Sequence, residues 1–195
     1  MRRLCFLATL LLCSAAAFTQ TAPAFRPFVS EQIVMVSQPG YSPVESISNV
    51  GLTYRVSRVN LYSVSRFRFF DHGSRAVTWI SGGNYRYYRG FTAGVAEVNF
   101  HAYLPKSPNY VYWNAPSVQL GWNGKRDSIL VLRTLGGGGV RVAHDNWSYQ
   151  YEHRMTKNVS LIGEVQSYQY KYPNPKKSPR SMDAELNLGV KVYLR

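Results

Sequence analysis

Residues able to do chemistry are few in this chain of 195 residues, and they fall into three groups. The pentapeptide His144-Asp145-Asn146-Trp147-Ser148 brings together a base, a carboxylate and a hydroxyl, the parts a deacylating enzyme would need. Glu97, His101, Glu164 and Glu185 form a second set, which could pass protons only if the fold gathers them. Lys171, Lys176, Lys177 and Arg180 form a third, in the proline-bearing segment KYPNPKKSPRS from Lys171 to Ser181, where their charges suit phosphate oxygens. The four histidines, His72, His101, His144 and His153, are not spaced with a cysteine or with one another as metal ligands are. No metal and no cofactor is therefore expected. Gly136 to Gly139 lacks a Gly-Lys-Ser/Thr sequel and opens no helix, so it reads as a loop tip and not as a phosphate-binding loop.

Whether any of these groups can act depends on the elements that carry them, and the clearest element is the last. From Met182 to Arg195 apolar and polar residues alternate. Ala184, Leu186, Leu188, Val190, Val192 and Leu194 fall on one face of an extended strand; Glu185, Asn187, Gly189, Lys191, Tyr193 and Arg195 fall on the other. Shorter alternating runs precede it. They include Val59 to Phe69, Thr78 to Tyr88, Ala96 to Leu104, Val118 to Trp122, Asp127 to Leu135, Trp147 to Glu152 and Val159 to Gln166. In the Ala96 run, Ala96, Val98, Phe100, Ala102 and Leu104 make the apolar row and Glu97, Asn99, His101 and Tyr103 the polar one. Together with the last stretch these make eight strands. Val50 to Val56 and Glu31 to Val36 would make ten. No long run shows the helical period, so the expected fold is an all-β, antiparallel up-and-down barrel within residues 50–195. Residues 25–49 are expected to be an N-terminal extension or to add strand.

The start of the chain sets the compartment. Arg2 and Arg3 precede an apolar run, Leu4 to Leu12, and then the small residues Ser14 to Ala17. Residues 1–24 therefore read as a signal peptide, cut after Ala17 or Ala24, whose apolar run is too short to span a bilayer. Both cysteines, Cys5 and Cys13, lie inside it, so the exported chain is not a disulfide-stapled domain. The formal charge of +13 calls for anionic surroundings. For an exported protein these are lipid and anionic glycolipid, and not nucleic acid.

Two kinds of barrel satisfy an alternating strand: a soluble one with its apolar rows inside, and a membrane one with those rows on lipid and its polar rows in the lumen. Aromatic residues favour the second, because they gather at strand ends: Phe67, Phe69 and Phe70; Tyr85, Tyr87 and Tyr88; Tyr110, Tyr112 and Trp113; Tyr168, Tyr170 and Tyr172. Connections favour it too. Turns at Tyr88-Arg89-Gly90, at Asn123 to Arg126 and at Met155 to Asn158 are short, while the alternate connections include the longer ones, which places the long loops at one end. In such a barrel Arg86, Glu97, His101, Arg141, Glu164, Glu185 and Lys191 are expected to face a narrow lumen and to pair there as a charge network.

The leader, the strand-turn-strand YEHRMTKNVSLIGEVQSYQYKY (Tyr151 to Tyr172) and the terminal AELNLGVKVYL (Ala184 to Leu194) make this chain resemble the small outer-membrane β-barrel proteins of Gram-negative bacteria, the OmpA-transmembrane-domain and OmpX-like type. Such barrels commonly end in an aromatic residue; this chain ends Tyr193-Leu194-Arg195. The resemblance implies a cell-envelope protein of the outer membrane, too narrow for a general porin. Its expected role is structural or interactive: presenting basic extracellular loops such as Lys171 to Arg180 to glycolipid, or meeting an envelope protein partner. A narrow channel and a soluble lipocalin-like ligand binder are the alternatives. Lipid A modification is the reading with least support, because the histidine and serine lack the His-x-Ser spacing of barrel deacylases and a turn or bulge accounts for His144 to Asn146. An enzyme is not expected.

Overall fold

The computed structural model describes residues 24–37, 44–70, 75–103, 111–135, 145–169 and 182–194. Ten strands run through them: β1 (Ala24–Ser37), β2 (Val44–Val56), β3 (Val59–Phe70), β4 (Arg75–Arg86), β5 (Phe91–Tyr103), β6 (Val111–Asn123), β7 (Asp127–Leu135), β8 (Asp145–Arg154), β9 (Val159–Gln169) and β10 (Met182–Tyr193). Each pairs antiparallel with its chain neighbours, and β1 pairs with β10, so the sheet closes on itself and leaves no unpaired edge. This is the expected up-and-down barrel, with ten strands, the larger of the two counts the sequence allowed.

The expected boundary at residue 50 moves to Ala24, because residues 25–49 hold β1 and the first half of β2. Both faces of β1 mix polar and apolar residues. Ser30 and Gln32 are buried on one and Glu31 lies among Val29 and Ile33 on the other, which erased the alternation that marks β10. In β6, Pro116 has no proton to give a neighbouring strand. The ladder to β7 stops one residue short of it, at Ser117 opposite Thr134.

Short turns join β2 to β3, β4 to β5, β6 to β7 and β8 to β9 at one end of the barrel, where β1 begins and β10 finishes. Gly90, at φ 91°, is needed in one of them: a Cβ there would also stand 2.3 Å from the Asn123 carbonyl oxygen. The other connections fall outside the described residues. With them go Arg141, His72, His144 and the cluster Lys171, Lys176, Lys177 and Arg180. The leader segment is outside as well.

The outer wall is largely apolar. Val29, Ile33, Val50, Val118, Leu120, Ile129, Leu161, Val165, Leu186, Leu188 and Val190 all stand exposed on it. Exposed aromatic residues ring both ends: Phe25, Tyr85, Tyr87, Tyr88, Phe91 and Tyr151 by the short turns, Phe69, Tyr103 and Tyr112 opposite. The residues sealed inside are mainly polar, among them Asn49, Arg66, Ser117, Gln119, Glu164 and Asn187. A wall of that kind has lipid outside it, with the aromatic girdles at the two interfaces. Part of the interior is apolar all the same: Val98 and Ala115 pack with Ile80, Phe100 and Leu132 where β4 to β7 face the lumen.

Candidate functional site

The lumen is crossed at mid-height by charged side chains. In β3 the run Ser65-Arg66-Phe67-Arg68-Phe69 alternates, so both arginines point inward while Phe69 stands exposed outside. Arg66 reaches β9 and donates from both Nη atoms to Glu164, at 3.1 Å to Oε1 and 2.7 Å to Oε2. Its Nε donates to Asn49 Oδ1 at 2.9 Å, and Asn49 Nδ2 donates on to Ser30 Oγ at 3.0 Å. Glu164 Oε1 also accepts from Ser148 Oγ at 2.6 Å, Gln150 Nε2 at 3.0 Å and Gln166 Nε2 at 2.6 Å. Beside this pair Arg68 donates to Glu185 Oε2 at 3.2 Å and bonds Gln166. On the way round the closed sheet, β2, β1 and β10 separate β3 from β9, so these bonds run across the lumen and not along its wall. A buried guanidinium and carboxylate persist because each is neutralised and hydrogen-bonded by the other and by amides.

Below this plug, towards the short turns, lies a cavity of about 480 Å³. Its floor includes Arg66 and its walls carry Lys191 and Glu152, paired at 2.9 Å. Tyr193 donates to the other Glu152 oxygen at 2.9 Å, and the Lys191 ammonium lies 4.3 Å from the centre of the Phe28 ring. Around the mouth stand Arg26, Arg55, Arg58, Arg86, Arg126 and Arg154. Arg26 donates to the Lys157 carbonyl at 3.2 Å. The acids in the lining are Glu152, held by Lys191, and Asp127, which takes bonds from Tyr151 at 2.6 Å and from His153 at 2.8 Å.

Of the residues expected to form a lumen network, Glu164, Glu185, Lys191 and Arg86 face the lumen. Glu164 and Glu185 find Arg66 and Arg68 there, and Lys191 finds Glu152. Glu97 and His101 do not face the lumen, and their assignment is corrected. Their neighbours Ala96, Val98 and Ala102 are buried inside the barrel, so the alternate residues lie outside. His101 packs against Trp79 and Tyr112 on the outer wall, at ring-centre distances of 5.0 and 4.5 Å. Period two fixes which residues share a face, and only the neighbouring strands decide which face is in. The base, carboxylate and hydroxyl of the 144–148 segment do not come forward as a site: Ser148 donates its hydrogen bond to Glu164 within the plug, and His144 is outside the described residues. No cluster of three or more histidine, cysteine or acidic residues able to hold a metal occurs among the described residues.

Arg66, Arg68, Glu152 and the mouth arginines other than Arg86 were not singled out from the sequence. The signal for the first two was present, as arginine and phenylalanine in strict alternation. The mouth arginines lie near strand ends and turns, where alternation fades and nothing local tells inside from outside.

No family profile matches the chain, and no curated protein matches it by sequence. Among solved structures it is similar to Neisserial surface protein A, at 11% identity and a TM-score of 0.41, over 88% of this chain and 99% of that one. It is also similar to the N-terminal β-barrel domain of Pseudomonas aeruginosa OprF, at 8% identity and 0.39, over 90% and 100%. A third is the Acinetobacter baumannii outer membrane protein Omp33, at 10% identity and 0.33, over 87% and 97%. The strand order and pairing of this chain establish its fold independently of these likenesses.

Proposed function

We propose that this chain is a closed barrel of the outer membrane whose role is structural or interactive, and that its lumen does not conduct. The Arg66–Glu164 pair carries this reading, since it joins opposite walls at mid-height and draws Ser148, Gln150 and Gln166 in with it. Rings of one-signed charge are one way a pore selects ions, whereas this constriction has both signs, paired. The apolar filling by Val98, Phe100, Ala115 and Leu132 supports it from the other side of the lumen. The long loops, with the basic Lys171 to Arg180 segment, would then meet glycolipid or an envelope partner.

Planar-bilayer recording tests the proposal. The protein is expected to insert without steady conductance, and the double variant Arg66→Ala/Glu164→Ala to open discrete ion-carrying events. Stable channels from the unaltered protein would make the narrow-channel reading the better one. A folded band that shifts on boiling must accompany each preparation, so that silence is not read from unfolded protein.

A further inference from the structure

The cavity below the plug combines three properties that nothing in a purely structural barrel requires. It is enclosed by the wall and floored by the plug, it opens at the short-turn end, and its mouth is ringed by arginines. Among the described residues, none of Arg55, Arg86 and Arg154 is joined to a carboxylate by an ion pair, while the charge of Arg126 acts on Asp127. The two acids in the lining are already engaged by Lys191 and Tyr193, and by His153 and Tyr151. Arg55 has Arg86 and Arg154 as repelling like-charge neighbours. Charges of one sign crowded around a concave site with low-dielectric walls focus a field inward, and that field draws in counter-ions of opposite sign.

We propose that this vestibule binds a multiply charged phosphate-type anion, which enters from the short-turn end and is held by the mouth arginines. Guanidinium groups suit such a ligand because each presents paired N–H donors matched to two phosphate oxygens. The cavity has room for several phosphoryl groups in a row, and so for a polyphosphate or a phosphorylated small molecule ahead of a single orthophosphate. The inference rests on the closed-lumen reading, in which the plug gives the vestibule its floor. It differs from the expectation for the basic loops, since these arginines stand at the short-turn end, opposite the end where β9 finishes and β10 begins.

Inorganic triphosphate added to the protein in non-ionic detergent tests the idea, with binding followed by calorimetry and by thermal unfolding. Saturable one-to-one binding is expected, weakening as sodium chloride is raised. The triple variant Arg55→Gln/Arg86→Gln/Arg154→Gln should bind at least tenfold more weakly. Without ligand it should unfold no earlier than the parent, because the substitutions remove repulsion and no pairing. Arg89→Gln/Lys125→Gln, on the outer turns, should bind as the parent does. Equal binding by the triple variant, or a thermal shift that sodium chloride reproduces at matched ionic strength, overturns the proposal. Loss of binding in the turn variant alone would do so too, by assigning the anion to headgroup-facing turns. A second arm uses nanodiscs of zwitterionic lipid with or without anionic lipid. Triphosphate binding that anionic lipid leaves unchanged identifies a soluble ligand, while competition by the lipid moves the site to the bilayer surface and ends the proposal. Conductance of the same preparations is recorded in parallel. A conducting barrel that still binds triphosphate fails the closed-lumen reading alone, and a silent barrel that does not bind fails this one alone.

Discussion

β10 and β5 alternate equally well and are built inside out relative to each other. In β10 the apolar row of Leu186, Leu188 and Val190 stands on the outer wall, and Asn187 and Lys191 point inward. In β5 the apolar row of Ala96, Val98 and Ala102 is buried in the lumen, and Glu97, Asn99 and His101 lie outside. The partners explain the difference. β10 faces a half of the lumen crossed by the paired charges of Arg66, Glu164, Arg68 and Glu185. β5 faces the apolar patch of Ala115, Ile80 and Leu132, against which Val98 packs. The outer wall beside β5 is polar in step: Ser63 and Ser81 bond at 3.0 Å, Glu97 lies opposite Ser81, and Asn99 opposite Asn114. A small barrel whose interior is part ionic and part apolar therefore cannot keep one rule for its exterior.

Three substitutions press on this contrast. Val98→Arg should have the largest effect, because an arginine there enters the apolar half of the lumen with no acid among its packing partners Ala115, Ile80, Phe100 and Leu132. A loss of about 3–5 kcal/mol is expected, as for other uncompensated buried charges. Urea titration of folding into lipid vesicles measures it, and a loss under about 1 kcal/mol would mean that Val98 faces outward after all. Leu188→Arg places the same charge on the outer wall of β10 and should cost about 2–4 kcal/mol if that wall meets hydrocarbon. A neutral result in the same titration would take lipid away from β10. Glu97→Leu should have the smallest effect and the opposite sign, a gain of about 1 kcal/mol, by removing a carboxylate from the middle of the outer wall. Destabilisation by this change would show that Glu97 has a partner that the isolated chain does not supply.

Much of the fold was legible in the sequence because turn chemistry and period-two alternation are local. The eight clearest strands and the short turns needed no knowledge of the whole. β1 was obscured because polar residues occupy both of its faces, and the phase of β5 was misread because alternation alone has no inside. The site was legible in part. Glu164, Glu185 and Lys191 were found as acids and a base opposite apolar rows, while their partners Arg66, Arg68 and Glu152 were not. Pairing between residues 98 positions apart, as for Arg66 and Glu164, leaves no mark on the sequence around either.

The seam between β1 and β10 has a consequence for how the molecule is made. Phe28 pairs with Tyr193 and Val29 with Val192, contacts that span almost the whole described chain. Every other ladder joins strands adjacent in sequence and can zip from its own turn or loop. The seam has to wait for the remaining nine ladders, because closing so long a loop first would carry the greatest entropic cost with the fewest contacts to offset it. Until it forms, the nascent sheet has two open margins, each with a row of free N–H and C=O groups that another extended chain could pair with. The last step of assembly is thus the one most exposed to error, and a factor that shields either margin until the other arrives would act on this pair of strands.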